Sequence, residues 1–295
     1  MKRFALIILL CLTATTAVEA QLLYKITGNG LKKPSFIFGT YHFASEKFVD
    51  EVPGLRATLI YVDQVCGEVD TSSISEDMVL STVAMPEGVT YEMLLDDEHY
   101  AKLNAKLRQR LKVDLSNPQL AASIGSFTPA YLSYVLQLLE PVDIPNLDAS
   151  KPLDPYFDKY AKMVGISSLY LETGEFQLEL LFCAPMDEQV KELEWWLDNN
   201  EKAAPMLIEM VEAYLCQDIK ATIKAFSSQL KGGMYSKEWR VRMLDQRNKD
   251  WMTQIPGIMA DKSTLFYVGV AHLDYGKNSL FRLLRKAGYT VTPLL

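Results

Sequence analysis

Two histidines follow glycines at the same spacing. Phe36-Ile37-Phe38-Gly39-Thr40-Tyr41-His42-Phe43 and Phe266-Tyr267-Val268-Gly269-Val270-Ala271-His272-Leu273 each run from an aromatic, largely apolar stretch into Gly-x-x-His and an apolar residue. The chain has only three histidines, so two of the three share this setting. Two carboxylates stand in comparable places. Glu68 falls near the end of the stretch Val65-Cys66-Gly67, and Glu172 follows Leu169-Tyr170-Leu171. A carboxylate there is expensive unless it has a partner.

If the four strands are neighbours and point the same way, two imidazoles and two carboxylates meet at one sheet edge, where sites form in open α/β sheets. His42 and His272 with Glu68 or Glu172 would suit a divalent metal with an open position, such as Mn, Co or Zn. Such an ion polarises a carbonyl and activates a bound water. The remaining carboxylate would act as general base. Arg247 could grip a substrate carboxylate with two N–H groups, or pair with Glu68 or Glu172, and spacing does not separate the two.

Plainer readings stand beside these. A lone histidine after a strand is usually structural, and it is the pairing that carries weight. Glu68 could simply cap or salt-bridge, and Glu172 could sit at a helix N-terminus for its dipole. His99, in Asp96-Asp97-Glu98-His99-Tyr100, reads as an ordinary surface histidine. The chain has no His-Glu-x-x-His, no Gly-x-Ser-x-Gly and no phosphate loop.

The elements that must position these groups alternate between strand and helix, so the expected class is α/β: a central sheet flanked by helices, with a helical middle region. Leu22 to Ile26 and Ser35 to Phe38 read as a hairpin around Thr27-Gly28-Asn29-Gly30. Helices are expected over Glu46 to Leu59, Tyr91 to Leu111, Pro118 to Leu139, Leu153 to Met163, Glu188 to Phe226, Lys237 to Ile255 and Ser279 to Ala287. Breaks in the longest are expected near Asn199-Asn200 and Pro205. Ile60-Tyr61-Val62 is read as leading into the strand of Glu68, and Thr290-Val291-Thr292 as a last strand. Trp195-Trp196 reads as an aromatic edge packed on the core.

Composition narrows the class. Of 295 residues, 49% are hydrophobic and 23% charged, as in ordinary globular proteins, and the formal charge of -7 gives no support to nucleic-acid binding. Lys2 and Arg3, the apolar run Phe4 to Leu12 and Val18-Glu19-Ala20 read as a signal peptide over residues 1–20. The expectation is an exported, periplasmic or extracellular protein with no stable membrane anchor after cleavage. One domain is expected over 21–295, with an internal break near 141–152. Cys66, Cys183 and Cys216 remain, so at most one internal disulfide can form.

Phe38-Gly39-Thr40-Tyr41-His42, Gly67-Glu68-Val69-Asp70, Leu171-Glu172-Thr173 with Gln177, Arg247-Asn248 and Val268-Gly269-Val270-Ala271-His272 occur in the order seen in the TraB/GumN family, which the chain resembles over nearly all its mature length. The resemblance implies a fold similar to erythromycin esterase and ChaN. It places His42, Glu68 and His272 in the site, with Glu172 and Arg247 in support. The TIKI members of that family are metal-dependent proteases. The expectation is therefore an exported metal-dependent hydrolase, first of all a peptidase acting on a peptide or protein. The alternatives are a non-catalytic periplasmic binding protein for a peptide, metal or haem, and a metal-free ester hydrolase with His42 as general base.

Overall fold

The computed structural model describes residues 21–117, 122–139, 147 and 151–294. Its centre is a six-stranded sheet. The strands are β1 (Leu23–Gly28), β2 (Ser35–Thr40), β3 (Gln64–Val69), β4 (Ser167–Glu172), β5 (Thr264–Gly269) and β6 (Tyr289–Pro293), in the order β4-β3-β5-β2-β1-β6. The first four in that order are parallel neighbours, and β1 and β6 close the other edge antiparallel. The α/β expectation holds. Thr40 lies opposite Gly269 and Val69 opposite Glu172, so the strands that carry the polar groups end at one edge.

Local chemistry explains these elements. The β1–β2 hairpin turns through Gly28 and Gly30 with φ of 88° and 78°, a region that favours glycine. Every residue of β2 is buried, as expected of a strand covered on both faces. Close approach explains two other glycines. A Cβ on Gly67 would come within 2.5 Å of the Tyr267 ring, and one on Gly39 within 2.8 Å of Leu273.

The main core gathers Phe38, Phe48, Phe157, Trp251, Phe266 and Leu284 around the sheet. A second core lies among helices: Leu103, Leu107, Leu132, Leu136, Leu193 and Trp196. Trp196 is thus a core residue.

Several helices differ from expectation. The 46–59 stretch divides into a short 3-10 turn, Glu46–Asp50, and a helix, Leu55–Tyr61, so Ile60 and Tyr61 are helical and β3 starts at Gln64. Gly54, at φ 77°, separates the two. Tyr91 to Leu111 divides where the Asp96 side chain caps the helix Asp97–Leu111. Part of 118–139 lies outside the described residues. Within the rest, the helix Pro129–Leu138 starts afresh after Thr128. The longest helix runs unbroken from Met186 to Leu215. Asn199 and Asn200 donate to the carbonyls of Trp195 and Leu197 rather than ending it, and the break comes at Asp218, which caps Ile219–Lys231. The break expected at 141–152 falls largely outside the described residues, as does the whole of 1–20.

His99 is more enclosed than expected, with 17% of its side chain open. It hydrogen-bonds Asp96 at 2.9 Å and Asp198 at 3.4 Å, tying two helices of the second core. Cys66 is buried, Cys183 and Cys216 are exposed, and all three are free thiols. Among the described residues no helix is long and apolar enough to cross a membrane.

Candidate functional site

Glu172 ends β4, Glu68 is the penultimate residue of β3, His42 stands two residues past β2, and His272 lies in the short helix Val270–Asp274 that follows β5. Glu68, His42 and His272 converge on Gly269. A Cβ built there would lie 3.4 Å from Glu68 Oε1, 3.5 Å from His272 Cδ2 and 4.0 Å from His42 Nε2. Glycine at this position leaves room for all three.

Arg247 reaches the same place from a helix. It follows a π-helical turn, Val241–Gln246, and opens the segment Arg247–Trp251. The wider turn advances the residues after it around the axis, and such turns recur at functional sites. The guanidinium is almost fully buried, with its side chain 5% exposed. Nη2 donates to Glu68 Oε2 at 2.6 Å and to Glu172 Oε2 at 2.8 Å. Nε donates to Glu172 Oε1 at 2.8 Å. Nη1 donates to the Met243 carbonyl at 3.3 Å and to His272 Nε2 at 3.2 Å. A guanidinium has five N–H donors, and here all five are taken. Of the two roles left open for Arg247, this geometry is the ion pair, and it pairs with both glutamates at once.

The tautomer of His272 follows from its neighbours. Asn248 Nδ2 donates to two carbonyls, of His272 at 3.2 Å and of Asn278 at 2.9 Å, which fixes the amide. Its Oδ1 must then accept from His272 Nδ1–H at 2.7 Å. That leaves the Nε2 lone pair for Arg247. Burial, with Arg247 alongside, pushes the His272 pKa down to about 3, in keeping with a neutral ring. Trp251, fully buried, donates to Glu172 Oε1 at 2.8 Å and packs against the His272 ring at 4.4 Å between centroids and under Arg247 at 4.8 Å.

Glu68 accepts from the Gly269 N–H at 2.7 Å. Burial pulls its pKa up, but Arg247, the two histidines and that N–H outweigh burial and hold it at about 2.

His42 is different. Its side chain is 61% exposed, and Nδ1 lies 2.9 Å from Asp154 Oδ2. Crowding in the cleft works against its charge, but Asp154 and then Glu68 raise the pKa to about 9, with Arg247 opposing. Solvent over the open ring moderates this rise. Nε2 makes no hydrogen bond among the described residues and faces Glu68 across Gly269. Asp154 opens the helix Asp154–Val164.

This donor set does not suit a resident divalent metal. Ligation needs lone pairs, and those of His272 Nε2, Glu68 Oε2 and both Glu172 oxygens point at a guanidinium. An ion would have to displace Arg247. Among the described residues no group of three or more His, Cys, Asp or Glu side chains is arranged to hold a metal.

Sequence reasoning missed Asp154 and Trp251. It also missed Thr40, whose buried hydroxyl has no hydrogen-bond partner among the described residues and which pairs with Gly269 across β2 and β5. Asn248 was visible only as the neighbour of Arg247.

A model of the TraB/PrgY/gumN family matches residues 22–293. No curated protein and no solved structure matches the chain.

Proposed function

The chain belongs to the TraB/PrgY/gumN family, and from that premise we propose that it is an exported hydrolase, acting on a peptide or ester bond, with His42 as its general base. The observation that carries this reading is the pair His42–Asp154, one ring nitrogen held at 2.9 Å and the other open. A carboxylate on Nδ1 fixes the tautomer and orientation of the ring, and it also raises the pKa. Nε2 is therefore free to take a proton only in the neutral ring, and turnover is expected to rise with pH toward about 9. Nε2 removes a proton from water as the water oxygen bonds to the carbonyl carbon. The imidazolium then returns the proton to the leaving nitrogen or oxygen as that bond breaks. The Glu68–Arg247–Glu172–His272 network beside it is a fixed charged floor, already oriented when substrate arrives. Arg247 engages His272 Nε2, Glu68 Oε2 and both Glu172 oxygens, so a metal would find only His42 Nε2 and Glu68 Oε1 clear of the guanidinium.

The test is hydrolysis of a panel of peptides and esters in the presence of chelator, with wild type beside His42→Ala. General acid–base groups contribute about 10²–10⁴-fold. Turnover that survives chelation and falls by that order in His42→Ala supports the reading. Turnover that requires an added divalent ion, or that His42→Ala retains, overturns it. Binding without turnover would instead favour a binding protein.

A further inference from the structure

Against Arg247 lies a pocket of about 450 Å³. Its two walls are the elements that carry the site. One is the helix Gly174–Phe182 that leaves β4, which contributes Phe176, Glu179, Leu180 and, just past its end, Cys183. Phe176, Leu180 and Cys183 fall at i, i+4 and i+7, one stripe of that helix. The other wall is the π turn and the segment after it, with Arg242, Gln246 and Asp250 at the rim and Arg247 at the inner end.

We propose that this pocket is a substrate subsite for an uncharged, apolar side chain or acyl group. The proposal deepens the hydrolase reading and rests on it for the word substrate. Phe176 is 42% exposed, an aromatic face left open beside a charged site. The inner end offers no anchor for an anion, since the five N–H donors of Arg247 are all engaged. At the rim Arg242 is paired through Nη1 with Glu188 at 3.2 Å, with its buried Nε unbonded among the described residues, while Glu179 and Asp250 add negative charge. A carboxylate-bearing group would be disfavoured beside Glu179 and Asp250, and an apolar one would remove the exposed Phe176 ring from water.

The position also sets a length. His42 Nε2 lies beside Gly269 at the end of β5, and β4 and β5 are two strand spacings apart, roughly 10 Å. An apolar group in the pocket therefore reaches His42 through about three extended residues at ~3.4 Å each, or through an acyl chain of similar length. Short esters and dipeptides would react without using the pocket.

Cys183 reports occupancy directly. The experiment measures the rate at which iodoacetamide alkylates Cys183, read by peptide mass mapping, with exposed Cys216 as internal reference. The probes are blocked glycine hexapeptides carrying one Phe or one Asp, and monooctanoylglycerol. At ten times its dissociation constant a ligand leaves the thiol about tenfold less reactive. The Phe peptide is expected to protect Cys183 and not Cys216, the Asp peptide to protect neither, and Phe176→Ala to abolish protection. Protection by the Phe peptide alone names a peptide side chain, and protection by monooctanoylglycerol alone names an acyl group. Glu179→Lys gives a second check, since it should let the Asp peptide protect. No protection by either apolar probe, equal protection by the Asp peptide, or protection that persists in Phe176→Ala overturns the proposal. Failure of the two readings is separable: lost hydrolysis with Cys183 still protected sinks the general base, and hydrolysis without protection sinks the subsite.

Discussion

Asn248 and His272 fix one another. The Asn248 amide donates to the His272 carbonyl at 3.2 Å and accepts from the same residue's ring N–H at 2.7 Å. This reciprocal pair holds His272 neutral and aims its free lone pair at Arg247. Removing the amide leaves a buried ring N–H and the buried His272 carbonyl unpaired, each costing about 1–3 kcal/mol, and frees the partly buried Asn278 carbonyl. Asn248→Ala is expected to lower unfolding free energy by several kcal/mol in urea titration. A loss under about 1 kcal/mol would mean that these groups find other partners.

Arg247 holds two buried carboxylates, so its loss should be severe. Arg247→Met is expected to cost about 3–5 kcal/mol, the order found when one partner of a buried pair is removed. Arg247→Lys should recover little, because an ammonium cannot supply five donors in one plane. Denaturant titration of both variants checks this.

The same residue separates the metal readings. Wild type, stripped with chelator and then given Mn, Co or Zn, is expected to show no shift in melting temperature. In Arg247→Met the lone pairs of Glu68, Glu172 and His272 are released, and a metal at about 100 times its dissociation constant would restore ~2.7 kcal/mol. A wild-type shift that vanishes in His272→Ala would show that an ion displaces Arg247.

Stability should depend on pH in two windows. The His272 pKa is lowered from the ordinary 6.5 to about 3, so the unfolded chain takes up the proton first. Its contribution is present above about 6.5 and is lost as pH falls toward 3. Glu68, lowered from 4.5 to about 2, adds a loss that begins below about 4.5. His42 is raised from 6.5 to about 9, so its contribution is complete below 6.5 and disappears as pH rises through 9. Melting curves from pH 3 to 10 should fall on both sides of pH 6.5. Asp154→Asn should flatten the alkaline side only.

The parts legible in the sequence were those carried by local pattern. The Gly-x-x-His pair, Glu68 and Glu172 announced themselves because each ends an apolar strand, and a parallel sheet brings strand ends together. Asp154 lies 112 residues from His42, at a helix start where an acid is already explained by the dipole. Trp251 reads as one more core aromatic. The π turn before Arg247 is invisible to helical periodicity, which places the residues after it one step out of phase. Asn199-Asn200 and Pro205 look like breakers, yet packing against the second core carries the long helix through them. The occupation of all five Arg247 donors depends on four separate chain segments, and no spacing encodes that.

The most direct test of an open His42 beside a closed inner network is ¹⁵N NMR of the imidazoles across pH, with three histidines to assign. His42 is expected to titrate clearly above 6.5, toward 9, and to return toward the ordinary value in Asp154→Asn. His272 is expected to stay neutral, protonated at Nδ1, until the pH approaches 3. A His42 that titrates near 6.5 with Asp154 intact, or a His272 that is cationic or protonated at Nε2 at neutral pH, would contradict the account.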